Sequence, residues 1–126
     1  MIGLKLVPLA TVPEGVSMNQ DNPQEIIQEA VRRIVEKFQP ERIVLFGSHA
    51  AGAAGPDSDA DLLVIMELTG SKRKQAVEID LALEGILLPT DVIVATPDEV
   101  ERYRDCVGTI ICEAAHEGRV VYERAA

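Results

Sequence analysis

Aromatic residues are nearly missing from this chain: 3% of 126 residues, with no Trp. A core without large rings has to be built from Ile, Leu, Val and Ala. The apolar share of 47% is enough to fill one such core in a single compact domain. Basic charge is also short. Twelve Lys and Arg face 21 Asp and Glu, leaving a net charge of −9 and a pI near 4.6. A protein that grips a duplex through many phosphates needs the opposite sign, so non-specific nucleic-acid binding is not expected. An acidic surface serves solubility, the simpler reading, or meets a basic protein partner. Cysteine is limited to Cys106 and Cys112, whose spacing does not match a metal site. Two reduced thiols and a cytoplasmic setting are expected. No apolar run is long enough to span a bilayer, so no membrane association is expected. Met1 to Val7 carries a Lys and is followed at once by Pro8, without a small-residue cleavage pattern, so it does not read as a signal peptide.

Several elements are legible in what remains. Residues 1–22 contain Pro8, Pro13 and Gly15 and read as an N-terminal arm, with residues 23–126 as the domain proper. Leu4, Leu6 and Leu9 could supply an edge strand or touch a partner, but a frayed terminus is the simpler expectation. Asn22, Pro23 and Glu25 form a helix start signal. Apolar residues from Ile26 to Phe38 recur at helical spacing, and Pro40 stops the helix. Ile43 to Phe46 predicts a buried strand, His49 to Ser58 a small-residue loop, and Leu62 to Met66 a second buried strand. A second helix is predicted over 71–85, a third strand from Asp91 to Val94, and a helix opened by Thr96-Pro97-Asp98-Glu99. After a break at Gly108 a helix resumes over Thr109 to Glu117. Gly118 is expected in the left-handed cap position, and Val120 to Tyr122 as a last short strand. The order implies an α/β or α+β layer, with a small mixed sheet packed by helices.

Asp59 and Asp61 are the first candidates for chemistry. On an extended chain, alternate residues share a face, about 6.5–7 Å apart. Two carboxylates at the mouth of a buried strand repel each other, and a hard divalent cation relieves that repulsion. Two magnesium ions can clamp the attacking and leaving oxygens of a nucleotidyl transfer. The competing reading is a loop rich in Asp for turn formation, in a chain with many acids. Gly47-Ser48 directly follows a strand. The glycine lets a phosphate approach the backbone and the serine can donate a hydrogen bond, although a plain strand-to-loop turn needs the same residues. Asp91 heads a third strand. If that strand neighbours the second, Asp91 could share a metal and accept the proton of the attacking hydroxyl. Asp80, mid-helix, is a weaker rival for the third acid. Lys72-Arg73-Lys74 oppose the helix dipole and read as a solvated face. His49, His116, Arg102 and Arg104 receive no catalytic role.

Taken together, Leu45-Phe46-Gly47-Ser48, then Gly52, then Ser58-Asp59-Ala60-Asp61-Leu62, resemble the signature of the polymerase-β-like nucleotidyltransferase superfamily. Asp91-Val92-Ile93-Val94 is similar to its third carboxylate strand, and Glu117-Gly118-Arg119-Val120-Val121-Tyr122 to the tail of its small members. The resemblance runs from about Glu25 to Glu123, and the length points to minimal nucleotidyltransferases. It implies that Gly47 and Ser48 hold the triphosphate of ATP, that Asp59 and Asp61 bind two Mg²⁺ ions, and that Asp91 joins one metal and serves as base. The α-phosphorus would be attacked and pyrophosphate would leave. It further implies an antitoxin that transfers AMP to a tyrosine of a HEPN-type toxin partner. The family loop often reads Gly-Ser-x-Ala-Arg-Gly, and here Ala51 stands at the Arg position, so a positive charge is missing. Two alternatives remain open: an antitoxin that neutralises its toxin by binding alone, and an enzyme acting on a small molecule such as an aminoglycoside. The oligomeric state is left open.

Overall fold

Helix α1 (Pro23–Phe38) begins as its sequence predicts. The side-chain oxygen of Asn22 accepts from the Gln24 amide at 3.0 Å, and Pro23 fills the first turn, where a missing N–H costs nothing. Ile27, Ala30, Val31, Ile34 and Val35 form its buried stripe. Gln39 closes the helix in the left-handed conformation, with its amide bonded to the Val35 carbonyl. The computed structural model describes residues 4–6, 22–52 and 58–125 of the chain.

After α1 come β2 (Arg42–Phe46), a short helix α2 (Ser48–Ala51) and β3 (Ala60–Ile65). Then follow α3 (Lys72–Ala82), β4 (Thr90–Ala95), α4 (Pro97–Tyr103), α5 (Ile110–Glu117) and β5 (Arg119–Arg124). With β1 (Leu4–Leu6), the strands form one sheet in the order β1-β5-β2-β3-β4. Only β3 and β4 pair in parallel, joined by the crossover through α3; the other pairs are antiparallel. Leu4–Leu6 is thus an edge strand on β5 rather than a frayed end, paired from Leu4↔Arg124 to Leu6↔Tyr122. Leu9 lies outside the described residues.

Both faces of the sheet are covered. Ile43, Leu45, Leu62, Val64 and Val94 pack with α1 and with Ile79 of α3. The alternate residues Val44, Phe46, Leu63, Ile65 and Ala95 pack with Ala114 of α5, joined by Val100 of α4. A mixed sheet between helical layers is the predicted class, and the reason is the near-continuous apolar character of β2 and β3, which leaves neither face fit for water.

Three local expectations need correction. The stretch expected as a loop from His49 begins inside the short helix α2, which runs to Ala51. The helix predicted over 71–85 ends at Ala82, and the chain turns from there through Gly85 at φ 88. Gly118 is extended, with φ −81 and ψ 173, not left-handed. Its glycine is required by space: a Cβ there would collide with the Ala114 carbonyl and with Val44. The missing side chain lets the end of α5 lie down on β2.

Tyr122 sits fully buried in the α1 side of the core, and its hydroxyl has no hydrogen-bond partner among the described residues. Removing an unsatisfied hydroxyl relieves a desolvation cost of about 1–3 kcal/mol. Tyr122→Phe is therefore expected to match or exceed the wild type in urea unfolding. A clear loss of stability would mean that the hydroxyl is bonded by residues outside those described.

Candidate active site

The Gly47-Ser48 turn and the carboxylates meet at one end of the central strands. Phe46, the last residue of β2, pairs with Asp61, and on the other side of β3 Asp61 pairs in register with Asp91. Paired residues of parallel strands point to the same face, with backbones about 5 Å apart. Asp61 shares its face with Leu63 and Ile65, and Asp91 shares its face with Ile93 and Ala95. Both carboxylates therefore stand on the side of the sheet covered by α5. Asp61 is the only residue of β3 that is not buried. Asp59 lies two residues earlier, exposed, with Ala60 fully buried between the two acids. The Ala60 amide bonds to the Pro89 carbonyl at 2.9 Å, which keeps this entry extended beside the start of β4.

Gly47 is the piece that joins the turn to the acids. Its φ of 78 and ψ of −154 lie in a region that only glycine occupies readily. A Cβ on Gly47 would also overlap Oδ2 of Asp61. The backbone at the end of β2 thus lies directly against a carboxylate oxygen. Ser48 opens α2, and Gly52 closes it in the left-handed conformation at φ 75. His49 of α2 donates from Nε2 to the Ser58 carbonyl at 2.9 Å, tying α2 to the residues that lead into β3.

Asp61 has a carboxyl pushed above the usual aspartate range. Burial is the largest cause, followed by the negative charges of Asp91, Asp59 and Glu113, while His49 opposes them. Glu113, on α5, escaped the sequence reading. Its neighbour Ala114 packs against the sheet, which brings Glu113 within electrostatic reach of Asp61. The signal was present only as an acid next to a buried alanine, meaningless until α5 is laid over β2. Asp80 lies on α3, and its carboxyl is raised by partial desolvation and then by the charge of Asp91. It borders the site without standing on the sheet face.

Four of the other charged residues from the sequence analysis are engaged elsewhere. Lys72 donates to Glu99 at 2.5 Å, linking α3 to α4. Arg102 pairs with Asp98, Arg104 with Glu101, and His116 with Asp105. Cys106 and Cys112 are free thiols, the former exposed.

Among the described residues, no three His, Cys, Asp or Glu side chains enclose a metal position by themselves. Asp59, Asp61 and Asp91 nevertheless fit a hard divalent cation. They are oxygen donors at one end of neighbouring strands, and Asp61 is partly desolvated and opposed by the charges of the other two. Magnesium takes only one or two carboxylates, with water and substrate phosphates completing its shell.

The nucleotidyltransferase domain family model matches residues 27–121, three quarters of the chain and all of these features. The chain belongs to this nucleotidyltransferase family. A candidate protein adenylyltransferase of Methanocaldococcus jannaschii is 31% identical over 91 residues, covering 63% of this chain and 92% of that protein. A crystal structure of a candidate nucleotidyltransferase from Sulfolobus solfataricus superposes with a TM-score of 0.50 at 23% identity. It covers 62% of this chain and 70% of that one, and it supports the fold. This nucleotidyltransferase brings the Gly47-Ser48 turn and the strand-end carboxylates together at one end of its sheet. No described helix is long and apolar enough to cross a membrane.

Proposed function

We propose that the enzyme transfers AMP from ATP, with Mg²⁺, to a hydroxyl of a partner protein. The observation that carries this reading is the register Asp61↔Asp91, with Gly47 packed against Asp61. The register sets two carboxylates side by side next to the Gly47-Ser48 turn, with Asp59 two residues before Asp61. The likeness to a candidate protein adenylyltransferase favours a protein acceptor.

In this reading Asp59, Asp61 and Asp91 hold the metal, and Gly47 and Ser48 receive the triphosphate. Bound divalent metal would offset the phosphate charge and polarise the α-phosphate. Asp91, at the outer strand of the site, takes the proton as the acceptor hydroxyl oxygen bonds to the α-phosphorus. The bond to pyrophosphate breaks, leaving AMP esterified to the acceptor. We further assign the acceptor as a tyrosine of a HEPN-type toxin, which makes the enzyme an antitoxin. Ala51 leaves the loop without the positive charge usual there, which favours slow turnover over rapid cycling.

The test combines labelled ATP, Mg²⁺ and the protein encoded by the neighbouring gene. Label is expected on the partner's tyrosine with wild type and none with Asp59→Asn/Asp61→Asn, whose circular dichroism should remain that of the wild type. Binding of the partner without any transfer would replace the enzymatic reading with neutralisation by binding alone.

A further inference from the structure

The α4–α5 connection and the exposed side of α5 enclose an open groove of about 630 Å³, within the size range of ligand clefts. Asp105, Glu113 and Glu117 line it, and neither Lys nor Arg does. Its one histidine, His116, is already bonded to Asp105 at 3.0 Å. Between the acids lie two apolar side chains open to water, Val107 at 94% exposure and Ile110 at 47%. The walls are braced from within. The Thr109 hydroxyl donates to the Cys106 carbonyl at 2.8 Å and accepts from the Cys112 amide at 3.1 Å. A braced groove needs little ordering on binding.

Glu113 links this groove to the sheet face that carries Asp61, because its neighbour Ala114 packs on that face. It lines the groove and at the same time acts on Asp61 through its charge. In the reading above the triphosphate sits at the Gly47-Ser48 turn after β2, which leaves the α5 side for the acceptor. Its charge repels phosphates, which rules it out as a second nucleotide pocket. Acids flanking exposed apolar groups match a segment with the opposite charge and its own apolar residues.

We infer that this groove is the docking site for the acceptor: a basic protein segment with apolar residues that delivers its hydroxyl past Glu113 to the carboxylates. This rests on the protein-acceptor reading above and specifies the chemistry by which the acceptor is recognised.

A fluorescent peptide of alternating lysine and leucine around a central tyrosine serves as the probe, with its glutamate-for-lysine counterpart as the control. Anisotropy is read without nucleotide. The basic peptide is expected to bind at least about tenfold more tightly than the acidic one. Val107→Lys/Glu117→Lys, both on the groove surface, should weaken that binding by about tenfold or more. Glu67→Lys/Glu78→Gln makes the same change in net charge on exposed positions outside the groove, and should alter binding by about twofold at most. Equal weakening by both variants, no effect of the groove variant, or equal binding of the acidic peptide would each overturn the proposal, as would no binding of the basic peptide. Calorimetry with Mg²⁺ and ATP is run separately on the wild type and on the groove variant, and affinity should be the same in both. Absence of nucleotide binding in the wild type would sink the adenylyl-transfer reading instead, with the peptide result still standing.

Discussion

Asp61→Asn is expected to reduce nucleotidyl transfer by roughly 10³-fold, the scale for losing one preorganised charge at a reacting centre, while making the metal-free protein more stable. The two effects share one cause. Asp61 is the single acid on an otherwise buried strand, and its carboxylate is opposed by desolvation and by three neighbouring acids. Asparagine keeps the shape and removes the charge. The pH dependence has a definite sign. Because the folded carboxyl is raised above its unfolded value of about 3.9, the folded state holds that proton more tightly. The penalty is relieved as pH falls through the folded pKa, and it is fully present above it. The stability advantage of the asparagine variant should therefore vanish near the unfolded value and grow as pH rises. Glu29 and Glu99 act in the opposite sense, since their hydrogen bonds to Arg32 and Lys72 hold their carboxyls low. Their contribution is lost as pH falls, and it is common to both proteins. Urea unfolding across this range, with and without Mg²⁺, separates the cases. Mg²⁺ should stabilise the wild type far more than the variant. A less stable variant would show that Asp61 is held by favourable contacts, not tolerated for a ligand.

Gly47→Ala should cost about 2 kcal/mol or more of stability and remove most activity. The backbone region at φ 78, ψ −154 penalises any side chain by roughly 1–3 kcal/mol. A methyl group there must also displace Oδ2 of Asp61, so the carboxylate leaves its place next to Asp91. Gly52→Ala is the matched control. It too has positive φ, at 75, but ψ is 14 and nothing among the described residues lies within 4 Å of the added carbon. Its cost should stay near 1 kcal/mol, with transfer within a few-fold of wild type. Equal loss of activity in both variants would mean that Gly47 matters only for loop conformation.

Most of the fold was legible in the chain because its signals are local. The Asn22-Pro23 and Thr96-Pro97 starts act within one turn, and in the latter Thr96 and Glu99 cap each other's backbone amides as expected. The apolar runs of β2 and β3 need no tertiary information to read as buried strands. Gly118 was misread because its demand is not conformational. It is set by Ala114 and Val44, which approach it only after α5 folds onto β2. The edge strand at Leu4–Leu6 was underrated because its pairing partner, β5, lies over a hundred residues later.

The active site divides along the same line. Asp59 and Asp61 are legible as a candidate pair in the chain alone, because alternate residues of an extended segment share a face. Asp91 was only a carboxylate at the head of an apolar run until β4 paired beside β3 in register with Asp61. Glu113 and the groove it opens onto had no local signature at all. The physical reason is that strand geometry is a property of neighbouring residues, whereas the meeting of β2, β3, β4 and α5 is a property of the core they bury together.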